Sequence, residues 1–132
     1  PPTALARIVV LDQFTRNAFR DTPRAFAGDA LALAAARALV DSGADRTLGP
    51  WQRQFVYLPF EHAEDRAMQE QALALFAALG REHPATAGLL AWAQKHHDIV
   101  ARFGRFPHRN AILGRPSSAE EAAFLSQPGS RF

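Results

Sequence analysis

Three histidines and two glutamates carry the side chains that could transfer a proton. Glu61, His62 and Glu64 follow a proline, His96 lies in a predicted helix, and His108 lies in an arginine-rich loop. Histidine changes charge near neutral pH and a carboxylate can orient its ring, so His62 or His108 with Glu61 or Glu64 forms a candidate catalytic acid/base pair. Alternatively, His62, His96 and His108 could together bind a divalent metal with Glu61 or Glu64 and leave a position open for water. Their spacing matches no standard motif such as H-E-x-x-H, so we predict no metal and no other cofactor.

Arginines supply the candidate groups for binding an anion. Between Asp98 and Glu120 the chain carries four arginines and no acidic residue, whereas residues 61–70 carry four acidic residues against Arg66. Arginine pairs with a carboxylate or a phosphate through the same planar fork. Two interpretations stay open: the two segments dock through ion pairs, or part of the arginine set lies unpaired in a pocket and binds a small anionic ligand. The candidate ligand-binding residues are Arg16, Asn17, His96, Arg105, Arg109 and Asn110.

Polar residues also fall on the apolar faces of two predicted helices. Asp12 and Arg16 share a face with Ile8 and are four residues apart, so they can pair directly. We expect either a structural ion pair there or an Arg16 that reaches a ligand. His96 lies within an apolar stripe and should face inward, whereas Asp98 points the other way.

Length and composition predict one soluble domain over residues 1–132. Its 48% hydrophobic content and 10 phenylalanines can form a core. The formal net charge is only +2, so nucleic-acid binding is not expected. Zero cysteines exclude disulfides and thiolate chemistry. The longest apolar stretch, Ala30–Ala36, is far shorter than the ~20 residues of a membrane span, so we expect no membrane insertion and a cytoplasmic protein.

The abundance of Ala and Leu and the helical spacing of apolar residues predict an all-α fold of about six helices with no strand. A loop of about fourteen residues, Gly104–Ser117, shows no helical pattern, and loops of this length are often functional. The predicted helices run from Ala4 to Arg20, from Pro23 to Ser42 before Gly43, from Pro50 to an interruption at Pro59, from Glu61–Glu64 to Gly80, from Pro84 to Gly104, and from a capping box at Ser118 and Glu121 to Pro128.

Several strings, in order along the chain, resemble the bacterial "domain of unknown function 924" family. The resemblance covers about Ala4 to Phe132, with departures at Thr15 and Ala63. Family members carry several dozen further N-terminal residues, so we expect this chain to be N-terminally truncated. The strings are Leu11-Asp12-Gln13-Phe14-Thr15-Arg16-Asn17, Pro23-Arg24-Ala25-Phe26, Tyr57-Leu58-Pro59-Phe60-Glu61-His62-Ala63-Glu64 and Phe103-Gly104-Arg105-Phe106-Pro107-His108-Arg109-Asn110.

This resemblance implies a tetratricopeptide-like, α-α superhelical fold and no settled activity. The motif residues matched here are largely those selected above by residue type and helix face. The resemblance and the residue pattern therefore both point to one polar centre. The matched positions include Asp12, Arg16, Asn17, Arg24, Glu61, His62, Glu64, Arg105, His108, Arg109 and Asn110.

The sequence thus predicts a bacterial helical protein with an Arg/His/Glu centre that binds a small anionic ligand, with acid/base chemistry as an extension. The alternative is a scaffold that binds a protein partner and whose polar cluster only fixes the helices. Weak RNA binding through the Gly104–Arg115 loop is the least favoured interpretation.

Overall fold

Helices form all of the regular secondary structure in the computed structural model, which describes residues 1–132. This confirms the predicted all-α class, while the tetratricopeptide-like superhelix stays a prediction. No helix combines the length and the apolar character needed to cross a membrane. The α-helices are α1 (Pro2–Val9), α2 (Thr15–Ala18), α3 (Asp29–Ser42), α4 (Pro50–Glu61), α5 (Arg66–Glu82), α6 (Leu89–Phe103), α7 (Asn110–Leu113) and α8 (Ala119–Leu125).

The core lies between helices that follow one another in the chain. Helix α3 packs on α4, α4 on α5 and α5 on α6, while α1 lies against α3 and α4. Alanine favours the helical backbone and its small side chain lets helices approach closely, as Ala36 and Ala72 do. A smaller cluster around Phe106 holds the C-terminal segment on α6. The large, fully buried residues of the main core are Ile8, Val56, Tyr57, Phe60, Phe76 and Leu79.

The first predicted helix contains a π-helical turn, Val10–Phe14, between α1 and α2. The Val10 carbonyl accepts one hydrogen bond from the Thr15 amide and a second one, of 3.0 Å, from the Thr15 hydroxyl. Gly28 packs so closely on this turn that a Cβ atom there would lie 2.3 Å from the Leu11 carbonyl oxygen. The turn therefore lies against the start of α3, and it carries Asp12 into the interior.

The predicted break at Pro59 is wrong, because α4 continues through Pro59 to Glu61. Proline removes one backbone donor, and near the end of a helix the loss of one hydrogen bond does not end the element at once. The next helix begins later than predicted, at Arg66, where the Asp65 side chain accepts a hydrogen bond from the Met68 amide. It also runs past Gly80, the predicted end, to Glu82.

Two other predicted helix starts were six and five residues early. Pro23 and Pro84 each open a short 3-10 turn, Pro23–Phe26 and Pro84–Thr86, and the α-helices begin only after glycines at positions 28 and 88.

Two helix stops and one capping box are confirmed, and one loop prediction is corrected. The helix stops at Gly43 and Gly104 are present, each glycine having a left-handed backbone with φ of 77° and 76°. The capping box of Ser118 and Glu121 is also present. The segment Gly104–Ser117 is not without helical structure, however, because it contains a 3-10 turn, Pro107–Arg109, followed by α7.

Candidate functional site

Six segments surround a cavity of about 600 Å³ at one side of the bundle. They are the π-turn with α2, the 3-10 turn Pro23–Phe26, the end of α4, the middle of α6, the segment that follows α6, and the end of the chain. Four arginines and three histidines line the cavity, whereas Asp21 is the one acidic side chain in its wall. Its polar lining comprises Gln13, Arg16, Asn17, Arg20, Asp21, His62, His96, His108, Arg109 and Arg131.

Asp12 and His62 form a close pair behind the cavity wall. Asp12 is 1% exposed, and the Nδ1 atom of His62 donates to its Oδ1 atom at 2.7 Å. Burial opposes the ionisation of Asp12, but hydrogen bonds from His62 and Gln13 and the charge of Arg16 hold its pKa below the usual value. Burial lowers the pKa of His62, so its ring is neutral at pH 7. Asp12 therefore fixes the Nδ1–H tautomer and leaves the Nε2 lone pair of His62 unused.

Glu61 is a buried carboxylate without a hydrogen-bond partner. It is 4% exposed, and its closest basic atom is Nδ1 of His96, 3.8 Å from Oε2. Burial, with the charge of Asp12, raises the pKa of Glu61 to about 7.

His96 faces inward, as predicted, whereas Asp98 is exposed. The Nδ1 atom of His96 donates a hydrogen bond to the Trp92 carbonyl at 2.8 Å. Burial lowers the pKa of His96 to about 3, so the ring is neutral. The ring of Phe132 stacks on it with 3.8 Å between centroids and covers one face.

Arg109 is the most enclosed cation of the cavity. It is 6% exposed, and its guanidinium carbon lies 4.5 and 4.7 Å from the ring centroids of Phe26 and Phe106. One terminal nitrogen donates to the His62 carbonyl at 2.9 Å, whereas Nε is buried and has no partner. Burial, with the nearby charge of Arg16, lowers the pKa of Arg109 to about 10, so it stays positively charged at pH 7.

His108 has a similar unused polar atom. Its Nδ1 atom is buried without a hydrogen bond, and burial beside Arg109 lowers the pKa of this histidine to about 4. Two buried polar atoms without a hydrogen-bond partner, His108 Nδ1 and Arg109 Nε, therefore belong to residues that line the same cavity.

Arg16 is held by two carboxylates. It pairs with Asp12 at 3.0 Å, as the four-residue spacing predicted, and forms a two-bonded fork with Asp29 at 2.7 and 3.0 Å. Asn17 lies at the exposed rim, where its side-chain oxygen accepts a long hydrogen bond of 3.4 Å from Arg20.

Four predicted site residues do not line the cavity: Glu61, which is buried near His96, and Glu64, Arg105 and Asn110. Glu64 forms a fork with Arg115 at 2.9 and 3.0 Å and also accepts from the Phe106 amide. Arg105 forms a second fork with Glu121 at 2.9 and 3.0 Å. Asn110 donates to Glu121 and to Ser117 and accepts from Arg115. These contacts hold the segment after α6 in place. Arg105 and Arg115 therefore form structural ion pairs, as the docking interpretation of the arginines predicted.

Sequence reasoning missed several groups at the site. Asp29 follows Gly28 at a helix start and carries no local sign of its contact with Arg16, thirteen residues away. Arg131 and Phe132 lie at the end of the chain and reach the cavity only through tertiary packing.

The fold and the site define an all-helical protein with a buried centre of arginine, histidine and glutamate. The sequence matches the family of bacterial proteins of unknown function DUF924 over residues 1–129, and the chain belongs to this family. The resemblance seen in the motif strings is thereby confirmed.

A solved structure also shows this fold. It is that of a protein of unknown function from Agrobacterium tumefaciens, with a TM-score of 0.84 and 46% sequence identity. The match covers 93% of the present chain and 66% of the other, so this chain spans slightly less than two thirds of that protein's length. A comparison with curated proteins gave no match. None of these similarities assigns an activity, so the function is argued from the site.

Proposed function

We propose that the cavity binds a small anionic ligand, a carboxylate or a phosphate, and that His62 can exchange a proton with it. The observation that carries the proposal is Arg109, a buried cation that lines the cavity and whose Nε atom has no hydrogen-bond partner. An unpaired buried N–H donor costs free energy, and an anion drawn to this guanidinium would reduce that cost.

The balance of charge in the cavity supports an anion over a cation or a neutral ligand. Arg20 and Arg131 line the cavity without an ion-pair partner, whereas Arg16 is neutralised by Asp12 and Asp29. The nearest carboxylates to Arg109 are those of Asp29 at 3.8 Å and Glu64 at 4.0 Å, and both already form hydrogen-bonded forks with other arginines. Low-dielectric walls such as Phe26 strengthen the attraction between these arginines and an anion. A volume of about 600 Å³ suits a metabolite-sized molecule.

The proton-transfer part of the proposal depends on the pair of Asp12 and His62. A carboxylate bound to Nδ1 orients the ring and stabilises its protonated form, so that the other ring nitrogen can act as a base. The 2.7 Å contact provides this arrangement, with Asp12 in the orienting role that the sequence assigned to Glu61 or Glu64.

The test is the thermal-unfolding midpoint in the presence of small carboxylates and phosphates. A ligand at 100 times its Kd stabilises the native state by about 2.7 kcal/mol. For a domain of this length that corresponds to a rise of about 10 °C. The responses of Arg109→Lys and Arg131→Gln are compared with that of Arg37→Gln, an exposed arginine on α3 outside the cavity.

We expect the first two variants to bind the ligand about tenfold more weakly, which removes about 5 °C of the ligand-induced rise. Each rise is measured from the variant's own unliganded midpoint, so a change in basal stability does not enter. An equal loss in Arg37→Gln would indicate unspecific charge attraction and would contradict the proposal.

Exposed apolar side chains favour the scaffold as a second candidate function. Val10 is 49% exposed and Phe14 is 61% exposed, and they lie at the two ends of the π-turn. Paired exposed apolar side chains of this kind occur at protein-binding surfaces. Binding of a partner that is lost in Phe14→Ser and kept in Arg109→Lys would favour this function over ligand binding.

A further inference from the structure

Glu61, His62 and His96 come together where α4 ends beside α6. Each residue offers one ligand atom, and these three atoms all lie within 4.8 Å of one another. We propose that this cluster binds one divalent transition-metal cation of the Zn²⁺ class. The inference goes beyond the proposed function and does not depend on anion binding.

Both histidines are already oriented as metal ligands usually are. The Nδ1 atom of His62 donates to the buried carboxylate of Asp12 at 2.7 Å, and Nδ1 of His96 donates to the Trp92 carbonyl at 2.8 Å. Histidines that bind metals commonly donate their second ring N–H to a carboxylate or a backbone carbonyl, which fixes the tautomer and the ring plane. These bonds leave the Nε2 lone pair of each ring available. In His96 the nitrogen closer to Glu61 is Nδ1, at 3.8 Å, so this ring must turn for Nε2 to bind a metal together with Glu61.

Glu61 completes the set with a carboxyl group, which supplies a negative charge to a metal once it is ionised. Its carboxylate is 4% exposed and accepts no hydrogen bond in the protein, although buried carboxylates are normally paired or bound to a metal. Arg16 and Arg109 are the positive groups nearest the cluster and oppose a cation there. Arg16 is neutralised by its fork with Asp29, and Asp12 adds a second carboxylate beside the cluster.

The residue types select the class of cation. Two imidazoles and one carboxylate suit first-row transition metals, with Zn²⁺ and Fe²⁺ as typical occupants, whereas Mg²⁺ and Ca²⁺ prefer oxygen ligands. Metal–ligand bonds of about 2.1 Å place the ligand atoms about 3.4 Å apart in a tetrahedral site. The three side chains therefore need to close by about an ångström.

Three protein ligands leave one position open for water or for an anionic group. With the cation bound, His62 becomes a ligand, and a metal-bound water takes over its place in proton transfer. The arginines of the cavity remain available to an anion, and the cation would add a further positive charge beside them.

The experiment titrates the chelator-treated protein with Zn²⁺ alone by calorimetry. We expect one Zn²⁺ per chain, and binding at least tenfold weaker in Glu61→Gln and in His96→Gln. The matched control is His97→Gln, because His97 neighbours His96 on α6 but contacts Glu70 and Asp98 at the surface. Zn²⁺ binding should be unchanged in this control.

Glu61→Gln preserves side-chain shape, so it decides the outcome if His96→Gln proves unfolded by circular dichroism. Co²⁺ provides a second readout in the wild-type protein, where visible absorption bands should appear on addition of one equivalent. The proposal is overturned if the wild type binds no Zn²⁺, or if Glu61→Gln binds as well as the wild type. It is also overturned if only His97→Gln loses binding. A thermal rise with carboxylates or phosphates in the chelator-treated protein would meanwhile show that the anion-binding function stands without the metal.

Discussion

Substitution of Gly28 by alanine should destabilise the protein by forcing the π-turn away from the start of α3. The added Cβ atom would lie 2.3 Å from the Leu11 carbonyl oxygen and 3.0 Å from its carbonyl carbon. Both atoms belong to the backbone and cannot rotate away, so the two segments must separate by about 1 Å. Asp29 follows directly, and its 2.7 Å contact with Arg16 would be disturbed by the same movement.

The expected loss of unfolding free energy is about 2 kcal/mol, the middle of the range for overpacked sites. Alanine is a poorer helix N-cap than glycine, but it also restricts the unfolded chain, and these two effects of up to about 1 kcal/mol roughly cancel. An unfolding entropy of about 0.28 kcal/mol/K for this length converts 2 kcal/mol into a midpoint lowered by about 7 °C.

The assay is thermal unfolding followed by circular dichroism, with Gly88→Ala as the matched control. Gly88 also precedes an α-helix with a right-handed backbone, φ of −66°, but a Cβ atom there would meet nothing within 4 Å. We expect its midpoint to stay within about 2 °C of the wild type. Equal midpoints for the two variants would refute the reasoning, because only the Gly28 variant places a Cβ atom against backbone atoms.

Three further predictions concern the parts of the fold that support the site. Tyr57→Phe should cost about 2–3 kcal/mol in urea unfolding, because the buried Tyr57 hydroxyl donates to Asp45 at 2.5 Å, and that carboxylate would lose its partner. The pKa of Glu121 is lowered to about 2, first by its fork with Arg105, so its stabilising effect should be complete above pH 4.5 and lost as the pH falls towards 2; a Glu121→Gln variant that loses stability equally over this range would contradict the assignment. Asp65→Ala should lower stability by about 1 kcal/mol in urea unfolding, because the cap of α5 is lost, whereas Asp65→Ser should retain most of it.

Local sequence signals predicted the features that depend on neighbours in the chain. The all-helical class, the left-handed stops at Gly43 and Gly104, and the capping box at Ser118 follow from residues within one turn of each other. The pairing of Asp12 with Arg16 follows from their four-residue spacing.

The remaining features depend on contacts that local patterns do not encode. Proline is normally read as a helix end, yet Pro59 lies inside α4 because tertiary packing buries it there. The sequence could place His62 near a carboxylate but could not choose the partner, because Asp12 is fifty residues away. The same holds for Glu64, whose partner Arg115 is 51 residues distant and removes it from the cavity.

The π-turn also determines how tolerant the first helix is to changes in length. A π-turn accommodates one residue more than an α-helical turn, so deleting one residue between Val10 and Phe14 would restore an ordinary α-helix without breaking the chain. Because the π-turn absorbs the extra residue, the deletion would leave Ile8 and Arg16 close to their present faces. A regular α-helix that kept every residue would instead rotate Arg16 by about 100° relative to Ile8 and turn it away from Asp29. The π-turn thus sets the phase at which one continuous helix presents a hydrophobic residue to the core and an arginine to the cavity.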